Sequence, residues 1–226
     1  MRTSLKLCLA GLAAALLLAS SVTTASANHL SISNQGIRAV WRELTFNAKP
    51  TQLIQPGAIR CPATLEGTFH SRTIAKVAGQ LIGFITRAIV GHPCVGMEGK
   101  EFFFHNGTEA VLGEPPTSLP WHMTYSGFTG TLPVLTGLIV NIVGIRMTVL
   151  YGLGNCLEIY GSATESRPWV FNIEAAGAVT SLQPGSGHLI QQQGTSALCP
   201  ELGRLSEPSG PVTVLGGTTH ITISLI

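Results

Sequence analysis

The chain contains no aspartate. A Ser-His-Asp triad is therefore excluded, and only a glutamate variant of that arrangement stays open. Calcium sites usually draw on aspartate and clustered carbonyls, so they are disfavoured for the same reason. Charge of either sign is scarce: Asp, Glu, Lys and Arg together make 11% of the 226 residues. The formal net charge of +2 comes from Arg2 and Lys6, both in an N-terminal leader, because every Glu lies beyond residue 27. The rest of the chain is neutral. With no basic surplus to neutralise phosphates, nucleic acid is not an expected partner. So little charge also gives weak electrostatic protection against association. A GxSxG elbow, an HExxH helix and a phosphate-binding glycine loop are all missing. So is any CxxC or CxxH spacing that would suggest zinc.

The first residues read as a targeting segment. Arg2 and Lys6 form a basic start, Leu7 to Ala19 an apolar core, and Ala25-Ser26-Ala27 a small-x-small cleavage site. Residues 1–27 are expected to be a signal peptide removed after Ala27. Its apolar core is too short for an ordinary spanning helix. Cys8 does not read as a lipoprotein site, since Lys6 falls inside the apolar box and most of that box follows the cysteine. Beyond the leader four cysteines remain: Cys61, Cys94, Cys156 and Cys199. An even number behind a signal peptide implies disulfides. Of the three pairings, Cys61–Cys94 with Cys156–Cys199 is the expected one, each bridge worth about 3–4 kcal/mol in the chain-entropy picture. Bridged cysteines leave no thiol nucleophile.

Residues 28–226 read as one all-β domain. Isoleucine, valine, leucine and threonine recur among the 26 glycines, a mixture that suits twisted strands and suits helices poorly. Residues 28–37 are short and polar, an expected edge strand. From Ile37 to Phe46, Val40, Leu44 and Phe46 stand at strand spacing, interrupted by Arg42. The cleanest alternation runs from Ile59 to His70, with Ile59, Cys61, Ala63, Leu65, Gly67 and Phe69 inward and Arg60, Pro62, Thr64, Glu66, Thr68 and His70 outward. Pro62 places that strand at an edge. Thr73 to Leu81 is open between a helical turn and strand. Asn106-Gly107 between apolar runs predicts a two-residue hairpin. Leu132 to Leu150 is apolar enough to suggest a membrane span, but Pro133, Asn141, Gly144 and Arg146 favour two buried strands. Trp169, Phe171, Ile173 and Ala175, then Ile221, Ile223 and Leu225, mark two further strands. Gly83-x7-Gly91-x2-Cys94 echoes Gly144-x7-Gly152-x3-Cys156 and suggests two related halves, residues 28–115 and 116–226, each with one bridge. Short strands with frequent turn signals predict a disulfide-bridged β-sandwich or distorted β-barrel.

The phrases Leu119-Pro-Trp-His122 and Ser126-Gly-Phe-Thr-Gly-Thr-Leu-Pro133, together with Cys61 to Lys76, resemble a group of uncharacterised exported proteins of actinobacteria. Those proteins share the LPW…FTGTLP phrase and widely spaced cysteines. The resemblance covers most of residues 28–226 and implies export and an all-β fold. It implies no activity.

Candidate chemistry is thin. Glu66 and His70 share the wet face of one strand with Thr64 and Thr68, an acid/base pair in outline. Glu98, Glu101, Glu109 and Glu114 with His105 cluster around the expected hairpin; in outline they could bind calcium or zinc, but without aspartate and clustered carbonyls they read as a solvated rim. Trp121, Tyr125 and Trp169 are the candidate binding residues, a platform on which a sugar ring would stack, although their spacing fits core packing as well. His122 stands on the face opposite Trp121. No cofactor or metal is expected. These observations predict an exported, non-enzymatic β-domain, structural or ligand-binding, associated with the cell envelope; cell-wall glycan or self-association is the expected partner class. The alternative is a secreted Glu/His hydrolase.

Overall fold

A computed structural model describes residues 28–51, 57–96, 101–104, 119–151, 156–194, 199–206 and 208–226. The expected signal peptide, the Asn106-Gly107 hairpin, His105, Glu98, Glu109 and Glu114 lie outside the described residues. Among the described residues seventeen strands follow one another: β1 (His29–Ile32), β2 (Gly36–Ala48), β3 (Ala58–Phe69), β4 (Thr73–Ala75), β5 (Leu81–Val90), β6 (Val95–Gly96), β7 (Glu101–Phe104), β8 (Trp121–Thr129), β9 (Gly137–Val143), β10 (Met147–Tyr151), β11 (Cys156–Tyr160), β12 (Ser166–Ile173), β13 (Val179–Pro184), β14 (Leu189–Gly194), β15 (Leu202–Ser206), β16 (Gly210–Val214) and β17 (Ile223–Leu225).

Period-two alternation gives each long strand one apolar face, and closing the sheet hides all of those faces at once. β2, β3, β5, β8, β9, β12, β13 and β16 pair antiparallel in that order, and β16 returns to β2. The result is a closed eight-stranded barrel with added strands. Of the two all-β forms open to the sequence, the barrel is the one that forms. Its interior is filled by Trp41, Trp121, Trp169, Phe69 and Phe171, none more than 1% exposed. Trp41 meets Trp169 edge-on at 6.0 Å, and Phe69 lies 5.9 Å from Phe171.

Past one rim of the barrel the strands continue into a smaller side sheet, ordered β2, β15, β14, β11, β10, β7. β2 belongs to both layers. Its residues 37–39 pair with β16, whereas residues 45–48 pair with β15. The register shifts between Trp41 and Leu44, so Arg42 and Glu43 form a bulge. Both side chains are exposed, and the inward phase moves from Ile37, Ala39 and Trp41 to Leu44 and Phe46. Val40, at strand spacing with Leu44 and Phe46, therefore does not share their face: it points outward and is 39% exposed. Opposite the bulge stands Pro62. β3 is not an edge strand: it pairs with β2 on one side and with β5 and β6 on the other. Pro62 falls in the gap between those ladders, where no donor is required, while its carbonyl accepts the Gly91 N–H at 2.7 Å. The other passages between barrel and side sheet also carry turn residues. Gly144, between β9 and β10, has φ +94°, and Gly161, between β11 and β12, has φ +79°. A Cβ at Gly161 would run into the Ile145 carbonyl.

Both disulfides serve the side sheet. Cys61, on the side-sheet end of β3, bonds Cys94 next to β6; Cys156, opening β11, bonds Cys199 just before β15. The expected pairing is the one formed. A barrel whose long ladders close on themselves needs no staple, but side-sheet strands of four to six residues have little ladder each. Loops of 33 and 43 residues are closed.

The opposite rim is covered by a separate sheet, ordered β17, β1, β4. β1 is thus the middle strand of a cap, not an edge strand, because Leu30 and Ile32 within its polar sequence are buried. Thr73 to Leu81 forms β4, a turn and the start of β5. Leu132 to Leu150 divides into β9 and β10, and no described helix is long and apolar enough to cross a membrane. Residues 28–115 and 116–226 each contribute strands to both layers, so the two sequence halves interleave.

A C156A/C199A variant is expected to lose about 3–4 kcal/mol of stability. Amide exchange should accelerate in β10, β11 and β14 while β8, β9 and β12 keep their protection; uniform acceleration would contradict a stapled side sheet.

Candidate functional site

The aromatic platform expected from sequence does not exist as a surface. Trp121 is 0%, Tyr125 4% and Trp169 1% exposed. Their alternation with polar residues is that of a filled barrel. Trp121 packs edge-on against Phe104 at 5.2 Å, Trp169 against Trp41. The faces a sugar would stack upon are occupied.

The Glu66/His70 pair is not assembled either. Glu66 bonds two guanidinium groups, Arg38 at 3.5 Å and Arg87 at 3.1 Å, on the outer wall of the barrel. His70 turns its ring toward Phe84, 4.6 Å between centroids, and His122 packs on the same phenyl ring at 5.2 Å. Cross-strand neighbours explain the choice: Glu66 lies opposite Arg38 on β2 and Arg87 on β5, and Phe84 lies opposite His122 on β8. Glu101, the described member of the glutamate group, sits 3.8 Å from His92 Nδ1.

A third group of polar side chains is buried inside the side sheet. Tyr160 donates to the Pro200 carbonyl at 2.6 Å and so accepts from the Tyr151 hydroxyl at 3.0 Å. Glu158 is fully buried on the same sheet. Cys156, Glu158 and Cys199 place ligand-type atoms within 4.8 Å of one another. Both sulfurs are consumed in the disulfide, so the trio offers a metal no thiolate. Burial raises the Tyr151 phenol far above its ordinary value, helped by Tyr160 and by the charge of Glu158. Burial also raises Tyr160, with Glu158 adding to it and the Tyr151 hydrogen bond opposing it, and burial raises Tyr125.

A groove at the waist is open to solvent. β13 leaves β16 after Leu182, and beyond the bulge β15 replaces β16 beside β2. Between them lies a groove of about 460 Å³ lined by Val170, Gln183, Pro184, Ser186, Arg204 and Ser206. Val170, Gln183, Arg204 and Ser206 occupy the outward positions of their strands. Asn47 donates to the Ser206 hydroxyl at 2.6 Å and fixes it. Away from the groove lining, Glu165 pairs with Arg167, and its carboxylate also accepts the Ile190 N–H at 3.2 Å. Partial burial lowers the Arg167 pKa. An amide, two hydroxyls and a guanidinium beside the flat faces of Pro184 and Val170 can grip a polar chain through several hydrogen bonds. None of them is a general base. Sequence reasoning passed over Gln183 and Arg204 because they sit in a Gly/Ser/Gln-rich region without motif or strong periodicity.

Comparison with known proteins finds no matching family model, no matching curated protein and no matching solved structure.

All three tyrosines of the chain have raised pKa values. An unfolded phenol ionises near 10.0, so stability from their burial is complete below that pH and falls as pH rises above it. Spectrophotometric titration is expected to show no phenolate step near pH 10.0 from Tyr151 or Tyr160 in the folded protein, with both appearing together as the chain unfolds. A reversible step in the folded state would show a tyrosine open to solvent.

Proposed function

We propose that this chain is an exported, non-enzymatic β-domain associated with the cell envelope, and that it binds cell-wall glycan along the waist groove. The observation that carries the reading is that groove: planar amide and guanidinium groups stand beside apolar faces on the outer wall of a barrel whose interior is filled. Glycan chains are polar, extended and rich in hydroxyls, which suits a shallow groove with many hydrogen-bonding groups better than a deep apolar chamber. Two disulfides suit an oxidising compartment, as does the signal-like leader. Nucleic acid is not a partner on this reading, because the chain beyond the leader carries no net positive charge. Nothing favours the Glu/His hydrolase: Glu66 is held by two arginines and His70 by a phenyl ring.

Purified cell-wall sacculi are expected to sediment the protein. Arg204→Ala and Gln183→Ala should each weaken that binding about tenfold, the worth of a hydrogen bond involving a charged or well-oriented partner. Binding that is absent, or that both variants retain in full, would dismiss the proposal.

A further inference from the structure

The end of the barrel away from the side sheet gathers exposed aliphatic side chains. Antiparallel pairing brings the start of β2, β5, β9 and β13 and the end of β3, β8, β12 and β16 to that one end. Val77 is 57% exposed in the connection from β4 to β5 and Leu81 39% at the start of β5. Leu132 and Val134 are 46% and 50% exposed between β8 and β9, and Leu215, just after β16, is 44%. Ile226, 57% exposed, follows β17 and donates its N–H to the His29 carbonyl at 3.1 Å. These are six of the nine large hydrophobic residues that are exposed among the described residues. Such a concentration marks an interaction surface.

Beside the cap lies a cleft of about 530 Å³ lined by Asn28, His29, Lys76, Val77, Tyr125 and Phe128. The Lys76 ammonium stands 5.6 Å from the centre of the Phe128 ring, and Arg72 is exposed on the turn before β4. The Lys76 N–H bonds the Asn28 carbonyl at 3.0 Å. Asn28, the residue that follows the apolar leader in sequence, is therefore fixed at this end.

We propose that this end docks on an anionic lipid bilayer, inserting the aliphatic tips and setting Lys76 and Arg72 against the headgroups. Two observations select a bilayer over a protein partner. The exposed aliphatics stand on separate connections around a ring, a form that suits shallow insertion of loop tips rather than a flat paired strand. Lys76 and Arg72 stand on the β4 side, next in sequence to Val77 and to β4, where an anionic surface would attract them, while the exposed acid of this end, Glu174, lies apart between β12 and β13. The proposal deepens the envelope reading by naming the surface that would meet the membrane, and it uses none of the waist groove.

The test uses the protein as cells process it, with its N-terminus sequenced so that binding by a retained leader is recognised. Vesicles containing phosphatidylglycerol are expected to co-sediment it, and pure phosphatidylcholine vesicles to do so less. Val77→Glu and Leu132→Glu should each reduce the bound fraction about tenfold, the cost of withdrawing one aliphatic side chain from an apolar phase. Ile190→Glu, exposed on the side sheet, should leave it unchanged. A Val134→Trp reporter should shift its emission to the blue on adding the anionic vesicles. The proposal falls if the vesicles leave the protein in solution, if Ile190→Glu costs as much as Val77→Glu, or if Val77→Glu only dissociates a dimer of the free protein. Cell fractionation separates the two readings: a cytoplasmic protein that still needs Val77 and Leu132 for vesicles overturns the envelope reading alone.

Discussion

The pairing of β2 with β3 is the contact on which the remaining structure depends. These two strands are long enough to belong to the barrel at one end and to the side sheet at the other. They can do so only because the ladder breaks in both at the same height. Arg42 and Glu43 supply one extra residue on β2, and Pro62 supplies a position without a donor on β3. The bulge shifts the inward phase of β2, so Trp41 packs in the barrel while Leu44 and Phe46 face the side sheet. Phe46 there meets Tyr160 at 5.2 Å and Phe102 at 6.3 Å. A strand without the extra residue would keep a continuous ladder and would set Pro62 against an acceptor it cannot serve.

The two layers that meet at this break are stabilised differently. The barrel buries its apolar faces by closing and has no free edge to protect. The side sheet is built from short strands; Cys156–Cys199 ties β11 to the start of β15 across β14, and Cys61–Cys94 ties the neighbouring end of β3 to the segment before β6. Because Trp41, Trp121 and Trp169 fill the barrel, the described clefts lie on the outside: at the waist, where the sheet divides, and at the capped end, where connections project. The same break that bends the strands also opens the groove between β13 and β15.

Much of this was legible in the sequence. The alternation from Ile59 to Phe69 matches the structure residue by residue, and the glycine and charge pattern within Leu132 to Leu150 rightly indicated two strands. The cysteine count and spacing led to the pairing that forms. The errors share a physical origin. Arg42 is visible as an interruption, but an interruption and a phase shift look alike until the partner strand is known, so the sequence groups Val40 with Leu44 and Phe46 although it faces the other way. Pro62 suggests an edge by chemistry alone, and only the facing bulge makes an interior place tolerable. Trp121, Tyr125 and Trp169 occupy the same alternating pattern whether they face solvent or core, and closure of the sheet decides between them. The waist groove left no local signal, since it is made of ordinary residues on strands far apart in sequence.

The most direct test of the shared strand pair is deletion of Glu43, which removes the bulge without changing any side chain that packs in the core. Stability and amide exchange of the deletion variant should be compared with those of the same variant carrying Pro62→Val, which restores a backbone donor. The account predicts that the deletion lowers stability by about 1–3 kcal/mol, the cost of a buried polar group left without its partner. It also predicts faster exchange in β10, β11 and β14 and partial rescue by Pro62→Val. A deletion variant as stable as the parent, with the side sheet fully protected, would contradict it.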